Sequence, residues 1–415
     1  MKKRQWFLLE LVFALVIVGL GFSLKLKLEK APAEKVDVDW GVPVLNVTLE
    51  GVDLDTIKSG SKDIKYPGNK VTLSSNGEVE EFTDVEVKGR GNSTWRQNKK
   101  PFQLKFDEKT ELLGMGKGKK WVLLANYLDE TELRNATAFE IGKMLEMEFT
   151  PTGEFVELYV NDEYEGLYYL TRKTEISGNG VDLKTPDGIL VELDNVYGKY
   201  EGCYYTDAED CLTIGDVVDE ESEGVVMEEF ASDFNRMELA LENGDYFTFT
   251  ELADVESFAK YFLLSEFTLN IDSYLTSAYF YRDDGKIHAG PGWDFDMTFN
   301  NERWGVEAEP TSERVRRDES KEAEIFYQLM KIPEFQVEVN RVYDELMAGR
   351  SQELTITMRK MANKIKDAVQ RDAVKWEKEK VASETERLID WVWMRYQFMD
   401  QKYSGGGYNS TVNLR

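Results

Sequence analysis

A short acidic segment that follows a glycine-containing turn is the strongest candidate for chemistry in this sequence. Asp294 and Asp296 are separated by one residue, and Trp293 and Phe295 alternate with them. In an extended segment the two carboxylates would lie on one side and the two aromatic rings on the other. Carboxylate oxygens are ligands that Mg²⁺ prefers, so we predict that both aspartates bind a divalent metal and that Asp294 is the main ligand.

Another carboxylate precedes this segment by about twenty residues. Asp272 directly follows a predicted helix over residues 255–269. A lone aspartate at a junction between a helix and a loop is usually a cap or a turn residue. Taken together with Asp294, however, Asp272 is a candidate general base or a group that orients a hydroxyl.

Residues 88–106 form a basic island, with six positive charges and no acidic residue. Gly89 and Gly91 permit a close approach of the backbone to a ligand, and such a loop suits phosphate oxygens. On the predicted strand over residues 102–106, Lys105 lies on the face opposite the apolar residues and could project into a cleft. A solvated basic loop is the alternative interpretation.

Composition limits the possible partners and metals. The chain has 415 residues and a formal net charge of -27, which repels nucleic acid, so we expect no nucleic-acid partner. A single histidine, His288, excludes a histidine-rich zinc site. Cys203 and Cys211 lie close together in a loop-like stretch, and in an exported protein we predict one disulfide between them; two free thiols are the alternative.

The N-terminus carries three basic residues followed by an apolar run over residues 7–24. That length is marginal to adequate for a membrane span, and the preceding positive charges place the N-terminus in the cytoplasm. We therefore predict an uncleaved signal-anchor, a single pass through the cell membrane and an extracytoplasmic location for the bulk of the chain. A cleaved signal is the alternative.

The hydrophobic pattern predicts an α+β fold with a strand-rich first half and a helix-rich second half. One helix interrupts the first half, with Asp129 as its predicted N-cap and Glu132 closing a capping box. The predicted parts are a signal-anchor over residues 1–24, a tether over 25–41, a strand-rich lobe with one long helix over 42–187, a helix-rich lobe with a small strand cluster over 188–403, and a flexible tail over 404–415.

Taken together, these motifs resemble the spore-coat CotH kinase family. The matching segments are residues 88–106 with the Arg90–Ser93 core, residues 121–127, Leu133–Asn135, residues 157–161 with Gly166, Lys173, Glu175, residues 190–194 and Gly290–Asp296. They follow one order along most of the chain, from about residue 42 to residue 300.

The resemblance implies an atypical two-lobed fold like that of protein kinases. It also implies transfer of a phosphoryl group from ATP to a Ser or Thr of a protein, with Mg²⁺ or Mn²⁺. Asp272 resembles the catalytic-loop aspartate, and Asp294 resembles the metal-binding aspartate, with Asp296 as a helper. The residues that we expect to contact the nucleotide are Arg90, Lys105, Glu140 and Glu192.

The sequence also departs from ordinary kinases. It has no His-Arg-Asp triplet, and Ser277 stands where those enzymes carry a metal-binding asparagine. The main alternative is therefore a non-catalytic envelope module, a pseudokinase that uses the same cleft for binding. A glycoside hydrolase is a further alternative, but it would need Asp272 as a partner, because Asp294 and Asp296 are too close in sequence to flank a glycosidic bond.

Overall fold

A computed structural model describes residues 41–198, 202–317 and 324–406 of the protein. The chain divides into two compact units, Met1–Val38 and Asp39–Arg415, and the description below concerns the second unit. The predicted signal-anchor, nearly all of the tether and most of the predicted tail lie outside the described residues. Within the described ranges, no helix is both long enough and apolar enough to cross a membrane.

Seven strands of the first half close into a barrel. They are β1 (Val44–Thr48), β2 (Lys65–Ser75), β3 (Glu78–Gly89), β4 (Phe102–Glu111), β5 (Lys117–Leu124), β6 (Gly153–Val160) and β7 (Glu163–Arg172). Their order around the barrel is β1-β2-β3-β4-β5-β7-β6, and the parallel pairing of β1 with β6 closes it. Alternate apolar residues such as Leu45, Leu104 and Trp121 fill the interior, as the period of two along each strand requires.

Two helices accompany the barrel: α1 (Leu54–Ser59) and α2 (Arg134–Met144). The predicted capping box of α2 is wrong. The helix begins at Arg134, and Asp129 accepts a hydrogen bond from the Arg134 backbone N–H at 2.9 Å. Glu132 points instead into the protein interior, where two lysines neutralise its charge.

A second sheet of five strands begins the other half. Its strands are β8 (Ile189–Leu193), β9 (Tyr204–Tyr205), β10 (Cys211–Val217), β11 (Ala278–Asp283) and β12 (Lys286–Ala289). Their order is β12-β11-β8-β10-β9. The predicted strand cluster, β11 and β12, thus pairs through β8 with strands from earlier in the chain. The stretch around the two cysteines, predicted as a loop, forms β9 and the start of β10.

The remaining elements are helical, and the structure is thus a mixed α+β fold with strand-rich and helix-rich parts. The helices are α3 (Glu223–Glu242), α4 (Tyr246–Leu252), α5 (Val255–Thr268), α6 (Arg314–Arg317), α7 (Glu324–Leu329), α8 (Pro333–Leu346), α9 (Ser351–Lys364), α10 (Lys366–Trp376) and α11 (Val381–Tyr403). One hydrophobic core includes residues of α2, the five-stranded sheet, α5 and α11, and it extends to barrel residues such as Phe155 and Tyr169. Burial of this shared apolar surface holds the barrel against the helices.

A buried cluster of four charged side chains also joins the barrel to the helices. Lys99 lies 2.7 Å from Asp372 and 3.1 Å from Glu132, and Lys378 pairs with the same two carboxylates. All four side chains have 0% exposure, and two positive charges balance two negative ones. Because a charge inside a protein needs a partner, each member of this cluster depends on the others.

We expect Lys378→Met to destabilise the protein by about 3–5 kcal/mol, because Glu132 and Asp372 would keep only one cation between them. The matched control is Arg359→Gln, which breaks the exposed pair between Arg359 and Glu386 and should cost no more than about 1 kcal/mol. Urea unfolding at neutral pH measures both. Equal losses would contradict a special contribution of the buried cluster.

Candidate active site

A cavity of about 440 Å³ lies where the end of the barrel meets the helix-rich half. Its barrel side comes from the loop between β3 and β4 and from the end of β5. Its other side comes from the segments around residues 272–279 and 293–297. The residues that later paragraphs use are Arg90, Gly91, Thr94, Asn126, Asn135, Glu192, Asp272, Thr276, Ser277, Tyr279, Trp293, Asp294 and Asp296.

The loop between β3 and β4 folds tightly over the cavity. A side chain at Gly91, which has a φ of +78°, would meet the Thr94 hydroxyl at 2.0 Å. A side chain at Gly89 would meet the Trp95 ring at 2.5 Å. These glycines therefore let the backbone pack closely, and Arg90 between them points to the cavity.

Helix α2 anchors the acidic segment through aromatic rings. The Phe139 ring lies 6.0 Å from the ring of Trp293 and 5.8 Å from that of Phe295, measured between centroids. Both rings belong to the hydrophobic core, while Asp294 and Asp296 line the cavity. The carboxylates thus face the cavity as predicted, but their separation from the rings is incomplete, because Trp293 also lines the cavity. The segment is not a strand, however, because Asp294 has a positive φ of 58°.

Asn135, one turn before Phe139 on α2, fixes the same segment through hydrogen bonds. Its Oδ1 accepts a bond from the Phe295 backbone N–H at 3.0 Å. Its Nδ2 donates to Asp296 Oδ1 at 2.6 Å and to Asn126 Oδ1 at 3.1 Å. One side chain therefore orients both the backbone and a carboxylate of the acidic segment.

The loop that carries Asp272 is tied to the acidic segment by Asn270. The Asn270 amide donates to the Asp294 carbonyl oxygen at 3.2 Å, and its Oδ1 accepts a bond from the Asp272 backbone N–H at 3.1 Å. The buried guanidinium of Arg314 donates to the carbonyl oxygens of Asn270 and Ile271 at 3.0 Å and 2.7 Å. The two acidic segments therefore have a fixed relative position.

The disulfide predicted between Cys203 and Cys211 is present, which confirms that prediction. It lies behind the loop of Asp272. The Cys211 backbone N–H donates to Asn195 Oδ1 at 2.7 Å, and the Asn195 backbone N–H donates to the Leu275 carbonyl oxygen at 2.9 Å. The linked β9–β10 hairpin thus supports the far side of the loop.

Four carboxylates line the cavity, and the pKa values of three of them, Asp272, Asp294 and Asp296, are raised. Burial and then the neighbouring charge of Asp294 raise the pKa of Asp272 to about 7. Burial also raises the pKa of both Asp294 and Asp296. Arg90, whose Cζ lies 5.4 Å from the Trp293 ring centroid, opposes this rise for Asp294. The site therefore favours a ligand that brings positive charge.

Five of the predicted residues meet in this cavity. They are Arg90, Glu192, Asp272, Asp294 and Asp296. Two others do not reach it: Lys105 lies further along the outer face of β4, and Glu140 forms an ion pair with Lys143 at 2.6 Å on α2.

Sequence patterns assign no role to two polar residues of the site, Asn135 and Tyr279, and predict no contact for Ser277. Tyr279 donates to Glu192 at 3.2 Å, and Ser277 donates to Asp294 at 3.4 Å. The available signal for Asn135 was its place in the matching segment Leu133–Asn135.

The carboxylates fit a divalent cation that takes only part of its coordination from protein. Within residues 41–198, 202–317 and 324–406, no group of three or more His, Cys, Asp or Glu side chains could hold a metal ion. Mg²⁺ commonly uses one or two carboxylates together with water and phosphate oxygens. Asp294 and Asp296 match that requirement, and a bound cation would relieve their mutual repulsion.

Comparison with known families places the chain among kinase-like phosphotransferases. The family model described as CotH kinase protein matches residues 87–399, from β3 to α11. The chain therefore belongs to the CotH kinase family, as its sequence motifs predicted. No curated protein matches it.

We expect Asp294→Asn to remove stabilisation by Mg²⁺ or Mn²⁺. A carboxyl whose pKa is raised by folding stabilises the protein at low pH, and this contribution is lost as the pH rises through the raised pKa. For Asp296, the second proposed ligand, that interval runs from the ordinary value of 3.8 to about 7. A divalent cation should therefore raise the melting temperature of the unmodified protein more at pH 8 than at pH 5.

Differential scanning fluorimetry measures this effect. Without metal at pH 8, Asp294→Asn should melt at the same temperature as the unmodified protein or higher, because one repelling charge is gone. Asp390→Asn, at an exposed position of α11, is the matched control and should respond to metal normally. An unchanged metal response in Asp294→Asn would show that Asp294 does not bind the cation.

Proposed function

We propose that the protein is a kinase that transfers the γ-phosphate of ATP to a Ser or Thr hydroxyl of a protein substrate, with Mg²⁺ or Mn²⁺. The main support is the convergence of Asp272, Asp294 and Arg90 on one cavity, although they come from three separate segments. Membership of the CotH kinase family supports the same reaction class. Phosphoryl transfer needs a positioned hydroxyl, a metal held by carboxylates and cations around the phosphates.

In this proposal each acidic residue has one role. Asp294 and Asp296 would hold the divalent metal, which neutralises charge on the phosphate oxygens when it is bound. Asp272 would accept a hydrogen bond from the acceptor hydroxyl and orient it toward the phosphate. Its raised pKa suits this role, since a base works best when its pKa lies near the working pH.

Arg90 would bind the phosphates from the barrel side. Its backbone N–H donates to the Pro101 carbonyl oxygen at 3.3 Å, which holds the two ends of the loop together. Trp293 lies against its guanidinium at 5.4 Å, so the charge is oriented before a ligand arrives. Glu192, whose carboxylate accepts a hydrogen bond from Tyr279 at 3.2 Å, would also contact the nucleotide.

In the same proposal, the two halves of the fold correspond to the two lobes of a kinase. Residues 42–187, with the barrel and α2, would form the nucleotide lobe, and residues 188–403 would form the lobe that presents the acceptor. The cavity between the barrel end and the helix-rich half would be the catalytic cleft. The protein would act outside the cytoplasm, held to the cell membrane by its N-terminal segment.

The test is transfer of labelled phosphate from ATP by the full-length chain, with Mg²⁺ or Mn²⁺ and a mixture of protein acceptors. Asp272→Asn and Asp294→Asn should each lower the rate by roughly 100-fold or more, because each removes a group that acts in the transition state. Asp390→Asn should retain the full rate. Failure of the folded protein to bind or turn over nucleotide with any divalent cation would exclude the kinase and favour a non-catalytic binding module.

The location is tested separately. We expect the mature protein in the membrane fraction to retain residues 1–24, because the apolar run is longer than that of an ordinary cleaved signal. N-terminal sequencing of that protein decides the question. A mature start near Glu34 would show that the segment is cleaved, and would remove the anchor without affecting the proposed reaction.

A further inference from the structure

A row of lysines crosses the outer face of the barrel. Five neighbouring strands contribute one lysine each, in or directly after the strand: Lys65, Lys88, Lys105, Lys120 and Lys173. Lys65 is the direct partner of Lys88 across β2 and β3, and Lys105 is the direct partner of Lys120 across β4 and β5. The Lys173 backbone N–H donates to the Lys120 carbonyl oxygen at 3.0 Å.

The alternation of side chains places this row on the outside of the barrel. Val87, Leu104, Trp121 and Leu170 all point into the barrel core. Lys88, Lys105 and Lys120 are the sequence neighbours of the first three and therefore point outward. Lys173, three residues beyond Leu170, also points outward. These side chains therefore share one face, which leads away from the cavity.

Like charges directly opposite each other on a sheet are unfavourable, and this face has two such pairs. Burial lowers the pKa of Lys88, and the nearby charges of Lys65 and Lys62 add to that effect. Burial lowers the pKa of Lys173 in the same way, with further contributions from Lys120 and Lys88. The charge of Lys173 thus lies within range of the charges of Lys120 and Lys88. In the strand register, Lys88 lies opposite Lys65 on one side and opposite Gln103 on the other.

Acidic residues around the row neutralise it only in part. Asp63 and Glu86 face Lys88, while Glu175 and Asp216 face Lys173. The Glu175 carboxylate pairs with Lys120 at 2.7 Å. The Asp216 carboxylate accepts the Ile176 backbone N–H at 2.9 Å.

Within the described ranges, Lys88, Lys105 and Lys173 form no ion pair, although Lys105 lies directly opposite Glu86 across β3 and β4. This is notable in a chain with a net charge of -27, where acidic side chains are abundant.

The row is separate from the proposed nucleotide cavity. None of its five lysines lines that cavity, although Lys88 precedes Arg90 by only two residues. Ammonium groups act as strongly hydrated point charges with three donors each, and several of them together suit the oxygens of a phosphate group.

We propose that Lys88, Lys120 and Lys173 form a second anion site, which binds a phosphate-bearing ligand. The ligand is either a free phosphate compound such as pyrophosphate or a phosphorylated side chain of a partner protein, since both present the same dianionic group. This site does not depend on the proposed kinase reaction, because its lysines belong to another face of the barrel.

The first test compares two double variants of the full-length chain that lose equal charge. Lys88→Gln with Lys173→Gln removes two lysines of the row. Lys360→Gln with Lys366→Gln removes two exposed lysines of the helical half. Isothermal titration with pyrophosphate, without nucleotide or divalent metal, should show binding that weakens by roughly tenfold for each lysine lost from the row, whereas the control pair should bind like the unmodified protein.

A stability measurement distinguishes a ligand site from a structural role. Without ligand, the Lys88 and Lys173 double variant should melt at the same temperature as the unmodified protein or higher, because a repulsion is relieved. Equal pyrophosphate affinity in both double variants, or no binding by the unmodified protein at low salt, would overturn the proposal. So would binding that is lost in Arg90→Gln but kept in the row variant, because the ligand would then occupy the cavity.

The second test separates the two sources of phosphate. A peptide with one phosphoserine and its unphosphorylated form are titrated against the unmodified protein and both double variants. Binding of the phosphopeptide that pyrophosphate displaces, and that the row variant loses, assigns the site to a phosphorylated partner. Binding of pyrophosphate alone assigns it to a free phosphate compound. Equal binding of the two peptides would contradict recognition of phosphate on a partner.

Discussion

The ring of Phe139 packs against Trp293 on one side and Phe295 on the other, and the carboxylates of the acidic segment depend on this contact. The rings belong to the shared core, while Asp294 and Asp296 line the cavity. Phe139 belongs to α2, the helix that follows the barrel strands β1 to β5 along the chain, so a helix of the first half sets the position of the acidic segment of the second half. Hydrophobic packing places the segment, and the hydrogen bonds of Asn135 orient its backbone and the Asp296 carboxylate.

The protein has two places where like charges lie close together. At each place, repulsion between the charges lowers the stability of the fold when no ligand is bound. Burial and then the charge of Asp294 raise the pKa of Asp272 and Asp296, and two pairs of lysines on the outer barrel face lie directly opposite each other across paired strands. The buried Lys99 cluster shows the contrast, because there equal numbers of opposite charges are brought together. The balanced interior cluster and the two groups of like charge thus differ in what they need, because only the latter would be relieved by a bound ion of opposite sign.

Sequence patterns predicted which way a side chain points from its own strand or segment. They did not predict contacts that depend on how distant segments pack together. Alternation of rings and carboxylates predicted the orientation of Asp294, and the strand pattern predicted the face of Lys105 correctly. The strand pattern could not show whether Lys105 reaches the cavity. Closure of the barrel fixes where each strand ends, and that position decides which residues of β4 lie at the cavity. Glu140 has a nearer partner one helical turn away. The role of Lys378 was invisible, since its partner Glu132 lies 246 positions earlier.

The parallel pairing of β1 with β6 has a consequence for how the chain folds. Their paired residues, such as Val44 and Glu157, are more than a hundred positions apart, whereas the strands from β2 to β5 pair between sequence neighbours. Contacts at such separation form slowly, because loop-closure entropy must be overcome before they give any stability. One edge of β1 therefore stays open until β6 has been synthesised and has paired with β7. During that interval the backbone of β1 is a template for unwanted association with other chains, which makes barrel closure the step of biogenesis most exposed to aggregation.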